Sequence, residues 1–402
     1  MGSLMEERVS IDLKLYTEGR AKFYASDLDR LEKLGLGYTN AEIFYNPKMV
    51  VNRDIAVAAL RWMVSNGKNT ALDLMAASGV RSIRFALETD VSNVLANDRD
   101  PLCVAIIRKN VLLNDVRDKV SVSCEDANLL AERLSVEGNR YWFVDLDPFG
   151  SPVPFLSSAI KAVRNGGVLA VTATDEPPLF GIKRDKLLRA YGVWGRKTEY
   201  CKEFGLRALI GYVVREAAKR DLVIRPLLGH VTGHYVRAYL SLDRGAEKAT
   251  SLLQEDMGWI EHCFNCGIRS VVQGMFEIPE KYCSECGSKL TLMGPLWISD
   301  FVNPEIVQRI LGLIPEESSG YRVARRILTL LIEEVGTPPF FYSLERESSR
   351  LRLPTPSTQK VIQELRALGY KAARSHVDEK GIKTNAPLSR IREIIIHLSG
   401  KR

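Results

Sequence analysis

The sequence predicts an α/β protein: a doubly wound, mostly parallel sheet, followed by a smaller α+β unit built around a metal-binding element. Three observations predict it. Short apolar runs alternate with helical patterns through the first half, four cysteines stand as two close pairs beyond residue 260, and the last quarter turns helical and basic.

The runs Thr70–Ala76, Asn93–Asn97, Val120–Cys124, Tyr141–Leu146 and Gly167–Thr172 are rich in Val, Leu and aromatics, as buried parallel strands are. Helical patterns fill the gaps over Val80–Glu88, Pro101–Asn114, Asn128–Val136 and Pro152–Arg164. Asp100 before Pro101 reads as an N-cap with proline at the first helical position, and Asn165-Gly166-Gly167 as a helix stop. Such alternation builds a doubly wound sheet. Leu222–Leu228 and His234–Asp243 read as a hairpin added to its edge. A break at Asp243-Arg244-Gly245 divides the chain into 1–244 and 245–402, with a cysteine-bearing unit at about 258–298. Beyond it, Pro304–Leu313, Tyr321–Val335 and Ser357–Leu368 read as helices, then Tyr370–His376 and Gly381–Asn385 as a two-stranded flap, an order that resembles a winged helix.

The 402 residues are 46% hydrophobic and 26% charged, the profile of a globular chain with an ample core. The apolar run Ala208–Val214 falls far short of the ~20 residues of a membrane span, and no basic-then-apolar leader opens the chain. Glu6 stands where N-myristoylation would want Ser or Thr. Seven cysteines are too few for a disulfide scaffold and suit reduced thiols in a cytoplasm; Cys103, Cys124 and Cys201 read as buried thiols. The net charge of +7 is unevenly spread: residues 301–402 hold 17 Lys and Arg against 11 Asp and Glu, and Gly181–Arg225 holds 12 against 5. Two basic regions suit a polyanion such as nucleic acid, although solvated helix faces would give the same count. Nothing calls for an obligate protein partner.

The acids mark the site. Asp73, Asp98, Asp126 and Asp147 fall at or near the ends of the first four strands, where ligands of open α/β sheets bind. Each alone would pass as a helix cap; four in succession are harder to dismiss. The first turn, Asp73 to Gly79, has small residues but only one glycine, so it is not the dinucleotide fingerprint and is closer to the first motif of S-adenosylmethionine-dependent methyltransferases. Asp98 is placed to accept from ribose hydroxyls, and Asp126-Ala127 to read an adenine edge. Asp147-Pro148-Phe149-Gly150 resembles the (Asp/Asn)-Pro-Pro-(Tyr/Phe) motif of amino-group methyltransferases. There a carboxylate and a backbone carbonyl accept the two N–H bonds of a base's amine, and an aromatic ring stacks on the extruded base.

Cys263-x2-Cys266, sixteen residues and Cys283-x2-Cys286 match a closed tetrathiolate zinc site, structural by its lack of an open position. Gly267 and Gly287, after the second cysteine of each pair, would free backbone N–H groups to turn toward the sulfurs.

The chain as a whole resembles the tRNA (guanine-26-N2)-dimethyltransferases, in a zinc-containing form. The match rests on Phe44-Tyr45-Asn46-Pro47, Asn52-Arg53-Asp54, Ser78 to Thr89, Asn97-Asp98, Asp126-Ala127-Asn128, Asp145 to Pro152, Val171 to Asp175 and Gly381 to Pro387. The resemblance implies a class I Rossmann-like methyltransferase domain and a C-terminal tRNA-binding domain, with S-adenosylmethionine as methyl donor, structural zinc, and tRNA as partner. By it, Arg53, Arg81, Asp98, Asp126 and Ala127 contact the methyl donor, Asp147 is the catalytic carboxylate, and Phe44 and Phe149 flank the base. Two other readings stay open: an amino-group methyltransferase on another guanine or nucleic acid, and a zinc-stabilised RNA-binding protein with an inactive methyltransferase fold.

Overall fold

The computed structural model describes residues 12–275 and 281–400; Glu6 lies outside them. The chain opens on an antiparallel hairpin, β1 (Leu13–Glu18) and β2 (Ala21–Ser26), turned at Gly19 (φ +53°). After α1 (Leu28–Lys33) comes α2 (Val50–Val64), buried continuously from Val51 to Leu60. A helix so enclosed sits between layers, here between the helix at Val80–Glu88 and the later helices at Pro304–Leu311 and Tyr321–Glu334.

The central sheet contains β3 (Thr70–Asp73), β4 (Asn93–Asn97), β5 (Val120–Ser123), β6 (Tyr141–Leu146), β7 (Val163–Ala173), β8 (Leu222–Thr232) and β9 (Tyr235–Arg244), in the order β5-β4-β3-β6-β7-β9-β8. The first five are parallel; β9 and β8 add the expected antiparallel edge hairpin, turned at Gly233. The intervening helices are α3 (Val80–Glu88), α4 (Pro101–Leu113), α5 (Ala127–Val136), α6 (Val153–Ala162), α7 (Glu176–Leu179), α8 (Arg184–Tyr191) and α9 (Cys201–Ala218). Right-handed crossovers running from β3 outward to β5 put α3 and α4 on one face; the reversed direction from β5 to β7 puts α5 and α6 on the other. The order reverses between β3 and β6, the switch point at which ligands of open α/β sheets bind beyond the strands' carboxyl ends.

One element differs from expectation. Helix α6 stops at Ala162, and Asn165-Gly166-Gly167 lies inside β7 rather than ending the helix. The ladder to β6 is irregular between Tyr141 and Phe143, and a Cβ on Gly167 would stand 2.8 Å from the Trp142 carbonyl. The glycines permit a bulge against β6.

Past β9 the chain enters α10 (Ala246–Glu255) directly. Then β10 (Met257–His262), β11 (Arg269–Gln273) and β12 (Thr291–Trp297) form a second sheet, ordered β11-β10-β12, around the four cysteines. A Cβ on Gly211 of α9 would meet the Trp297 nitrogen at 3.0 Å, so this sheet lies tight on the methyltransferase-like half. One hydrophobic core runs unbroken from Ala21 to Phe341.

Helices α11 (Pro304–Leu311) and α12 (Tyr321–Glu334) lead into β13 (Tyr342–Ser343), α13 (Leu344–Leu351), α14 (Thr358–Ala367), β14 (Ala372–Arg374), β15 (Gly381–Thr384) and α15 (Leu388–Leu398). Helix, strand, two helices and a hairpin, with the sheet ordered β13-β15-β14, is a winged helix. It has its own core of Leu344, Val361, Leu365, Ile382 and Ile391. A buried ionic chain ties it to the rest. Lys383 donates to Glu203 of α9 (3.1 Å) and Glu334 of α12 (3.2 Å), Arg207 donates to Glu203 (2.9 Å), and Glu334 meets His376 (2.8 Å). No helix among the described residues is long and apolar enough to cross a membrane.

Candidate active site

The turn after β3 is held by backbone bonds to its neighbours: Leu74 N–H to the Asp145 carbonyl (3.1 Å) and Ala76 N–H to the Asn97 carbonyl (2.8 Å). Gly79 begins α3 at φ +76°, where a Cβ would stand 3.2 Å from Ile107, so glycine is needed for conformation and space alike. Ala77, also left-handed at φ +49°, donates its N–H to Asp98 (2.8 Å). Asp98 accepts the Asp100 N–H on its other oxygen (3.0 Å), which fixes the carboxylate at the end of β4. Asp126, past the end of β5, caps α5 by accepting the N–H groups of Asn128 and Leu129 on one oxygen, with Ala127 buried behind it.

Asp147 follows β6 directly. The loop beyond it turns at Gly150 (φ +77°), whose N–H donates to Thr174 Oγ1 (2.8 Å) and whose carbonyl accepts the Thr174 N–H (2.9 Å). That clasp to the end of β7 holds Phe149 outward, 64% exposed although apolar. Phe44 meets Phe149 edge-on, ring centroids 4.5 Å apart, so two residues over 100 positions apart form one aromatic corner. The structure thus brings Asp147, Phe149 and Phe44 together.

Arg81 is the hub. Its guanidinium pairs with Asp147, donates to Asn52 Oδ1 (2.9 Å) and lies 3.3 Å from Asp145. Arg53 stands apart from it, donating twice to Glu18 (2.6 and 2.5 Å) and to the Asn46 carbonyl (2.9 Å). Asp73 faces inward: it is 2% exposed and accepts from Ser82 Oγ (2.7 Å). Burial pushes its pKa up to about 7, more than Arg81 beside it pulls back.

Sequence reasoning missed three supports. Arg237 on β9 is fully buried and pairs with Asp145 (2.5 Å) while donating to Thr172 (2.6 Å). Asn52 orients Arg81, and Arg84 bonds Glu18, Asp54 and Glu88, each at 2.8 Å. The signal was present: an acid inside a buried strand, as Asp145 is, requires a cation. Cys124, expected to be buried, is exposed because it ends the edge strand β5; Cys103 is buried and Cys201 half-buried.

The second site is the cysteine cluster. The four Sγ atoms lie within 4.8 Å of one another, with Cys263 and Cys286 3.5 Å apart and Cys266 and Cys283 3.6 Å apart. Sulfurs about 2.3 Å from a tetrahedral zinc ion stand about 3.8 Å apart, so this donor set fits zinc. The two halves repeat one turn: Gly267 (φ +85°) donates to the Cys263 carbonyl (2.8 Å) and Gly287 (φ +68°) to the Cys283 carbonyl (2.9 Å). With the glycine N–H groups closing the turns on carbonyls, the residues that follow turn their backbone N–H groups toward sulfur as expected, Ile268 toward Cys266 and Ser288 toward Cys286.

Comparison with known proteins agrees with this geometry. The pattern of the family described as N2,N2-dimethylguanosine tRNA methyltransferase matches residues 20–396. A tRNA (guanine(26)-N(2))-dimethyltransferase of Methanothermobacter thermautotrophicus is 35% identical over 89% of this chain and 93% of its own length. One of Pyrococcus furiosus is 36% identical over 87% of this chain and 91% of its own. The structure of Trm1 from Pyrococcus horikoshii in complex with S-adenosyl-L-methionine superposes with a TM-score of 0.84 at 32% identity, over 95% of this chain and 100% of that one.

Proposed function

The chain belongs to the N2,N2-dimethylguanosine tRNA methyltransferase family, and we propose on that premise that it methylates the exocyclic N2 of guanosine 26 in tRNA, giving N2,N2-dimethylguanosine. The observation that carries this reading is the corner formed by Asp147, Phe149 and Phe44 at the switch point of the sheet. S-adenosylmethionine supplies an electrophilic methyl group. Asp98 and Asp126-Ala127 are the residues to hold its ribose and adenine, and Arg81 its carboxylate; Arg53 would add to this while keeping Glu18.

An amine on a purine is a weak nucleophile because its lone pair is delocalised into the ring. Asp147 and a neighbouring backbone carbonyl accept its two N–H bonds and localise that pair. Phe149 and Phe44 hold the base plane. As each new C–N bond forms, the bond from that methyl to the donor's sulfonium sulfur breaks, a neutral thioether leaves, and nitrogen sheds one proton toward Asp147. Two N–H bonds allow two such rounds, and the product has none left to offer. The stretch 1–244 would do this chemistry while 245–402, which includes the zinc unit at about 258–298, holds the body of the tRNA. A cytoplasmic setting fits cysteines that are all free.

Incubation with bulk tRNA and S-adenosylmethionine, then mass spectrometry of the nucleosides, tests the reading. N2,N2-dimethylguanosine should accumulate, and a transcript with adenosine at position 26 should take up no methyl. Equal methylation of that transcript would move the target elsewhere.

A further inference from the structure

Residues 182–197 form a basic strip that the chemistry above does not use. Its six cations, Lys183, Arg184, Lys186, Arg189, Arg196 and Lys197, pair with no acid among the described residues. Asp185 is the single acid within the segment, and the next one, Glu199, is already held by Arg269 (2.9 Å) and Arg346 (3.1 Å). Helix α8 ends at Tyr191 on a left-handed Gly192 (φ +60°), and burial then alternates along the chain, with Val193 and Gly195 buried and Trp194 and Arg196 exposed. Trp194 is pinned in that pose by two backbone bonds to Gly294 (2.7 and 2.8 Å), which leaves its ring 39% exposed. Arg184 lies over the Trp194 ring (5.8 Å), and Arg196 over Phe264 of the zinc unit (4.7 Å), itself 37% exposed. Two exposed rings beneath two guanidinium groups that no acid neutralises offer stacking faces and positive charge together.

The strip also shares its footing with the active site. Tyr191, the last residue of α8, bonds Ser151 (2.9 Å) and Asp175 (2.7 Å), and Ser151 stands two residues past Phe149. A strand whose target base lies against the corner of Phe44 and Phe149 therefore has α8 and the 192–197 segment beside it.

We propose that this strip docks the RNA strand leading away from the target nucleotide. Its phosphates lie on the cations, and an unpaired base stacks on Trp194, with Phe264 as a second platform. Exposed aromatics interleaved with arginine are what single-stranded or looped RNA binds, since every base has a face to stack. The inference rests on the tRNA reading above and adds where the strand runs.

The test uses the full-length, zinc-loaded protein with Trp194→Ala, Trp194→Phe and the double reversal Arg184→Glu/Arg196→Glu. Filter binding of tRNA over about 50–200 mM salt is measured alongside steady-state methylation. Trp194→Ala should raise the Kd and KM for tRNA about tenfold, and Trp194→Phe should recover most of the loss. The double reversal should flatten the salt dependence by about two counterions. Affinity for S-adenosylmethionine and Tm should stay at wild-type values. If wild-type protein methylates tRNA while Trp194→Ala and the double reversal bind it within twofold of wild type at the same salt slope, the strip is no RNA surface and the proposal falls, leaving the activity intact. A wild-type protein that leaves tRNA unmethylated overturns the activity and the strip together.

Discussion

Asp147, the carboxylate proposed to react, leans on Arg81, and Arg81 on the buried Asn52 and Asp145, so its position is set from behind by the protein interior. Asp147→Ala should lower turnover about 10²-fold or more with S-adenosylmethionine binding nearly intact, the scale of a lost base and positioning group; methylation assays on purified tRNA check it. Glu18 makes a second prediction. Burial alone would raise its pKa, but Arg53 and Arg84 outweigh that and hold it at about 2, against an ordinary value of 4.5. A depressed carboxylate stabilises the fold above its unfolded pKa and loses that contribution as pH falls from about 4.5 to about 2. Glu18→Gln should therefore destabilise the protein by about 3–5 kcal/mol at neutral pH, since it leaves the buried Arg53 guanidinium without a carboxylate, and shrink the acid-induced loss. Denaturant melts at pH 7 and pH 3 compare the two. Asp147 and the other strand-end acids were legible in the sequence because each follows an apolar run. Glu18 and Arg237 were not, because their partners lie 35 to 92 residues away and only folding makes them neighbours.

At the scale of elements, the parallel strands were read to within a few residues because β-branched and aromatic runs bounded by turns have few other uses. The β1–β2 hairpin was overlooked although Leu13–Glu18 and Ala21–Ser26 flank a two-residue Gly19-Arg20 turn, a pattern that can be read locally. Helix α10 escaped notice because Gly245 before it resembles a linker, whereas it is the helix's N-cap. The zinc unit was the most legible element of all, since C-x2-C pairs encode their own turns. Elemental analysis should find one zinc per chain, and Cys283→Ser should lower Tm before it alters kcat, because binding there is coupled to local folding. The thermal melt of that variant, beside its turnover per folded molecule, separates the two effects.

Over the whole molecule, the charge of the last quarter is only partly available to a ligand. Arg326 pairs with Glu379 (2.7 Å), and Arg350 donates to the Asn265 carbonyl (2.8 Å) and lies 3.6 Å from Glu347. Arg322 is exposed without a partner among the described residues, and Arg325 leans over Tyr321. Neutralising Arg322, Arg325 and Arg326 should weaken tRNA binding several-fold and lower its salt slope by about two, while S-adenosylmethionine binds as before. Neutralising Arg350 should instead show first as lost stability around the zinc unit. Filter binding and thermal melts distinguish the pair.

The buried chain from Glu203 through Lys383 to Glu334 has a mechanical consequence. A hinge between the sheet and the wing would have to draw a lysine away from two glutamates in a dry interior, so these contacts oppose any change in the spacing between Asp147 and the wing. Such a protein works as a caliper. If the wing holds the body of the tRNA as proposed, jaws that resist closing would gauge the RNA by length before a single base is inspected.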